Sequence, residues 1–151
     1  MYLAFKDLAN VFADKRGANE PNLVFYSVTD QAKIKQPKGI FILLNDESGE
    51  LSDAIANGAI AAVWDKKVKL PPYTPSQFPV FFTEDTIEAV RNLLQYYLEK
   101  LDGEIEKKMD ITKFDFLNKE LLNKNEQTYD IAAMLKKVAR EIDNIRRERR
   151  G

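Results

Sequence analysis

GIFILLNDESGELSDAIANGAIAAVW, residues 39–64, decides how the rest of the chain is read. GIFILL is an unbroken apolar run, and a strand that is apolar at every position is buried on both faces, as in a parallel sheet. NDESGE is polar and predicts a loop. A helix follows from about Leu51 to Asn57. Asn57-Gly58 closes it, with Gly58 suited to a left-handed position after the last turn. AIAAVW predicts the next strand. Strand, helix and strand at this spacing form a βαβ unit, which should be right-handed.

Working outward, NLVFYSV (Asn22–Val28) predicts a strand rich in β-formers. Before it, Leu3, Leu8, Val11 and Phe12 lie near helical spacing, and Gly17 is placed to stop that helix. The segment between Thr29 and Gly39 is a polar connector ending in Pro37 and Gly39. On the other side, DKKVKLPPYTPSQF predicts a loop and PVFFT a short buried strand. EDTIEAVRNLLQYYLEKL predicts a long helix with Ile87, Val90, Leu93, Leu94, Tyr97, Leu98 and Leu101 on one stripe. Asp85 is placed to cap it, with Glu88 three residues on. Trp64, Phe81 and Phe82 are expected in the core.

Fold class is therefore α/β: a small three- or four-stranded, mostly parallel sheet flanked by helices over residues 1–101, with a helical extension over 104–151. Asp102-Gly103 is the expected hinge. In the extension, TKFDFLNKELLNK is read as one helix. A second helix carries Ile131, Leu135, Val138, Ile142 and Ile145 in a heptad-spaced seam. That seam predicts docking onto a protein partner or a homo-oligomer, because two heptads are marginal alone. From Lys136 to Arg150 there are seven Lys/Arg and three Asp/Glu, and the interleaved acids argue against nucleic acid.

Composition narrows the chemistry. The 151 residues carry a net charge of −1, no Cys and no His. Imidazole bases, thiolate nucleophiles and Cys or His metal sites are excluded. No apolar run is long enough for a membrane span. The amino terminus lacks a signal-peptide pattern, and the absence of Cys fits a cytoplasmic location.

Ligands of open α/β sheets bind beyond the carboxyl ends of the strands. Ser27, Thr29, Asp30 and Gln31 follow one predicted strand and are the first candidates, with ordinary polar turn chemistry as the alternative. Asp46, Glu47 and Glu50 follow another. They are read either as Mg²⁺ ligands or as a solvated loop with an acidic first helical turn, and the second reading is preferred. No cofactor and no metal is expected.

The order QPKGIFILL, polar loop, helix, NGAIAAVW, loop, PVFFTEDTIEAVRNLLQYY over roughly residues 1–100 resembles the amino-terminal, UDP-sugar-binding domain of the Mur ligases. Asp30 matches the Asp of that family's Asp-Ser/Thr-Arg motif. Pro37 and Phe41 match its turn and strand, Gly58, Ala59 and Ala61 its Gly-Ala-x-Ala, and Asp85 the Asp before the last helix. The resemblance implies a UDP-sugar ligand facing Ser27 to Gln31 and the loop at Asn45, Asp46 and Glu47. It also implies a place in peptidoglycan-precursor metabolism. The departures are pointed. Gln31 and Ala32 stand where the family has Ser/Thr and Arg, and the polar loop is shorter and lacks its His. The family's phosphate-binding loop has no counterpart here. The nearest string, NKNEQT (Asn123–Thr128), has Glu126 and Gln127 where a Gly and the Lys belong. The expectation is a non-catalytic binding or scaffolding module. The alternatives are one piece of a split ATP-dependent ligase, or a helical interaction protein acting through its basic tail.

Overall fold

The computed structural model describes residues 2–103 and 112–117. The chain forms β1 (Leu3–Ala4), α1 (Phe5–Val11), β2 (Asp14–Arg16), β3 (Val24–Phe25), β4 (Ser27–Thr29) and β5 (Gly39–Ile42). A 3-10 turn (Asp46–Ser48), α2 (Leu51–Ala56), β6 (Ala59–Asp65), β7 (Val80–Thr83), α3 (Thr86–Gly103) and β8 (Lys113–Asp115) follow. The fold is α/β, with a mixed six-stranded sheet in the order β2-β7-β6-β5-β4-β8. All neighbours in it are parallel except β2, which runs antiparallel to β7. β1 and β3 pair antiparallel in a separate two-stranded sheet.

The sheet is larger than the three or four strands expected. Asp14–Arg16 adds an antiparallel edge where the sequence reading had only the end of a helix. α1 instead stops at Val11, with Phe12 already extended. Gly17, at φ +96, turns the chain beside Phe78, whose carbonyl oxygen would lie 2.4 Å from any Cβ there. NLVFYSV is not one strand but two, β3 and β4, which belong to different sheets. TKFDFLNKELLNK is not helical at its start, because Lys113–Asp115 pairs with β4. The sheet thus continues past the expected boundary at residue 101. Gly103 is the last residue of α3. The seam Ile131, Leu135, Val138, Ile142 and Ile145 lies outside the described residues.

The central strands bury both faces, as GIFILL predicts. Ile40, Ile42, Ala61, Val63 and Phe81 face one side, against Leu8 of α1 and Val90, Leu93, Leu94 and Tyr97 of α3. Phe41, Ala62, Trp64 and Val80 face the other, against Leu51 and Ala54 of α2. The register shifts once, with Gly39 opposite Ala59 but Ile40 opposite Ala61. The extra residue, Ile60, lets Ala59 and Ala61 serve opposite faces. Each aliphatic or aromatic side chain buried this way contributes about 1.5–3 kcal/mol.

Local signals close the elements. Gly58 has φ +113, as the helix-stop pattern predicts, and a Cβ there would lie 2.7 Å from the Pro37 Cα. Asp85 caps α3, its Oδ1 accepting from the Ile87 and Glu88 N–H groups at 3.1 Å each. Glu88 turns to Arg91 instead of back to the cap. Asp7 fixes α1 to α3: its carboxylate accepts from the Ala4 N–H at 2.8 Å, the Tyr96 hydroxyl at 3.1 Å and Lys100 Nζ at 2.5 Å.

Tyr97 is buried under β8, and its hydroxyl accepts from the Thr112 N–H at 2.8 Å. Burial pushes its pKa up to about 12, with hydrogen bonding from Thr112 acting the other way. In the unfolded chain this proton leaves near pH 10. Between pH 10 and 12 the folded state therefore holds a proton the unfolded state has lost, and stability falls as pH rises. We expect urea unfolding to show this decline, at up to about 1.4 kcal/mol per pH unit from this group. In Tyr97→Phe the slope over that window should be shallower, with lower stability at neutral pH because the Thr112 N–H loses its acceptor.

Candidate functional site

In an open parallel sheet the side chains free to meet a ligand lie just past the carboxyl ends of the strands. Here β4 and β5 are neighbours, and the segments that follow them are joined. The Ala32 N–H donates to the Ser48 carbonyl at 2.8 Å, and a Cβ at Gly49 would lie 3.0 Å from the Ala32 Cβ. Gly49 has φ +95, which allows this close approach. The turn after Thr29 and the loop at Asn45–Gly49 thus make one polar rim.

The loop is tied internally. Ser48 is buried, and its Oγ accepts from the Leu44 N–H at 3.1 Å and the Asn45 N–H at 3.3 Å. Asn45 Oδ1 accepts from the Glu47 N–H at 2.9 Å. On the other segment, Gln36 Nε2 donates to the Gln31 carbonyl at 2.9 Å, and Asn57 Nδ2 donates to the Ala32 carbonyl at 3.0 Å. Both segments are therefore held in place by side chains buried or half-buried behind them.

The seven candidate residues divide three ways. Gln31 and Asn45 are half-buried on the rim, and Asp46 and Glu47 are exposed there. Thr29 and Asp30 follow the same strand but point inward, at 0% and 1% exposure. Thr29 Oγ1 accepts from the Gln31 N–H at 3.1 Å, and Asp30 Oδ1 accepts from the Leu117 N–H at 2.8 Å. Ser27 lies at the opposite, amino end of β4, where its Oγ faces Gly39. A single strand over Asn22–Val28 would end near Ser27 and carry it to the rim; the break between β3 and β4 puts it at the other end. Glu50 is exposed at the start of α2. Among the described residues, no group of three or more carboxylates is gathered to hold a metal ion.

The sequence reading did not include the neighbouring strand ends. Lys66 and Lys67 are exposed just past β6, with the Lys66 N–H donating to the Thr83 carbonyl at 2.9 Å. Glu84 and Asp85 are exposed past β7. Their position directly after predicted strands was the available signal. The residues past the strand ends therefore alternate in sign from β7 to β5, and Lys66 Nζ lies 3.8 Å from the Asp14 carboxylate of β2. The chain has no imidazole or thiol, so the polar groups at the rim are amides, carboxylates and lysines.

No family model and no curated protein matches the chain.

Ser48 and Gly49 should prove structural and Asp46 dispensable. Ser48→Ala leaves two inward N–H groups without their acceptor and should cost about 1–3 kcal/mol. Gly49→Ala, strained at positive φ and crowded by Ala32, should cost about 1–3 kcal/mol. Asp46→Ala should stay within about 0.5 kcal/mol of the unsubstituted chain. Urea titrations of the three variants check this ordering.

Proposed function

We propose that the chain is a non-catalytic binding or scaffolding module, akin to the UDP-sugar-binding domain of the Mur ligases. Its ligand would be a sugar nucleotide held at the rim beyond β4 and β5. One observation carries the reading: the Ala32–Ser48 hydrogen bond unites the two segments that the resemblance assigns to the ligand. Gln31 and Asn45 offer amides suited to a uracil or ribose edge. Lys33, directly after Ala32, and Lys67, past β6, are exposed cations for a phosphate.

The same rim argues for weak binding. Ala32 replaces the family's Arg and is itself buried. Asp46 and Glu47 oppose a pyrophosphate. Dissociation constants should lie in the high micromolar range or above for UDP, UDP-N-acetylglucosamine and UDP-muramoyl peptides. Gln31→Ala should weaken binding several-fold without moving the melting temperature of the free protein, whereas Asn45→Ala should weaken binding and also lower the melting temperature, because the Glu47 N–H loses its acceptor. Calorimetric titration and thermal shift measure both quantities. Absence of saturable binding to all three nucleotides would remove the sugar-nucleotide reading. ATP should show no micromolar binding, since the sequence has no glycine-rich loop with its Lys.

A further inference from the structure

β8 runs parallel to β4, with Thr29 opposite Asp115, so Phe116 and Leu117 leave the sheet at the same end as the polar rim. The strand is pinned on both sides. Just before it, the buried Thr112 donates its N–H to the Tyr97 hydroxyl at 2.8 Å and its Oγ1 to the Phe25 carbonyl at 2.7 Å. Just after it, Phe116 is buried in the core, whereas the Leu117 side chain is 60% exposed. The Leu117 N–H turns inward and donates to Asp30 Oδ1 at 2.8 Å. Asp30 is itself 1% exposed and sits between Thr29 and Gln31, in the turn that makes half of the rim.

A buried carboxylate is held by charge-assisted hydrogen bonds, and losing a donor drives it toward water. Asp30 cannot turn alone. The Gln31 N–H donates to Thr29 Oγ1 at 3.1 Å, and the Gln31 carbonyl accepts from Gln36 Nε2 at 2.9 Å. The Ala32 N–H donates to the Ser48 carbonyl at 2.8 Å. Rotation of Asp30 away from β8 therefore pulls on Gln31 and Ala32, and through Ala32 on the loop at Asn45–Gly49. We propose that Asp30 is a positioning residue of the rim, and that the ligand site is complete only with β8 docked. Residues 112–117, beyond the end of α3, then belong to the functional unit. The inference rests on the sugar-nucleotide reading of the rim and adds the element that controls it. By linkage, a ligand on the rim also tightens the hold on β8.

The test is amide NMR of the full chain, free and titrated with UDP-N-acetylglucosamine. Leu117→Pro removes the N–H that Asp30 accepts and leaves Asp30 in place. In the free protein it should move the amide resonances of Ala32, Ser48 and Gly49. Asp30→Ala should move Ser48 and Gly49 likewise, whereas Asp30→Asn, whose amide oxygen still accepts, should leave those two where they are. With the nucleotide, Leu117→Pro and Asp30→Ala should each bind at least about fivefold more weakly. The double variant should bind no more weakly than either single one, since both break the same link. Asp30→Asn should keep the unsubstituted affinity. If Leu117→Pro fails to fold by circular dichroism, the contrast between Asp30→Ala and Asp30→Asn decides. Unmoved Ser48 and Gly49 resonances in a folded Leu117→Pro or Asp30→Ala chain, or unchanged affinity, would overturn the proposal. An unsubstituted chain that binds no nucleotide removes the sugar-nucleotide reading instead, and the spectra of the free chains then decide whether Asp30 positions the rim.

Discussion

The arrangement depends on β5 and β6 being apolar on both faces. Ile40, Ile42, Ala61 and Val63 must be covered on one side and Phe41, Ala62 and Trp64 on the other. Two layers of helix are therefore obligatory: α1 and α3 on one face, α2 on the other. A parallel pair covered on both faces leaves its strand ends as the open, polar places in the layer. The rim beyond β4 and β5 is a consequence of that geometry. So is the requirement that its loops be tied down, since loop backbone near the core needs hydrogen-bond partners. Ser48, Gln36 and Asn57 supply many of them.

The second constraint is at the edges. β2 ends one side of the sheet with Asp14, Lys15 and Arg16, a charged strand that blunts further pairing. The other side is closed by β8, fastened by polar contacts at Thr112 and Leu117 and by the packing of Phe114 and Phe116. Thr112 links β8 to both strands of the small sheet, β1 and β3, and to α3. The raised pKa of Tyr97 belongs to this junction. Its cause is burial of the phenol, with Phe114 and Thr112 against it.

The central unit was legible because its signals agree. The continuous apolar run, Gly58 at the helix stop, the alanine-rich strand and the Asp85 cap each point to the same elements. What escaped was short or locally ambiguous. β2 has no apolar residue to announce it. Phe114 and Phe116 show the period of a strand, but the leucines and charges that follow favour a helical reading, and only pairing with β4 decides. Half of the rim was legible for a related reason. Sequence places residues after a strand but does not say which way they turn, so Gln31 and Asn45 reach the rim while Thr29 and Asp30 turn inward. Ser27 was misplaced by the unseen break between β3 and β4.

The central claim is that residues 31–32 and 45–49 act as one site at the carboxyl ends of β4 and β5. A two-dimensional amide NMR titration of the full chain with UDP-N-acetylglucosamine tests it most directly. The account predicts that the amides of Gln31, Ala32 and Asn45 to Gly49 shift together with one saturation curve, while those of β2 and the amino ends of the strands stay fixed. Shifts confined to another part of the molecule, or separate curves for the two segments, would contradict it.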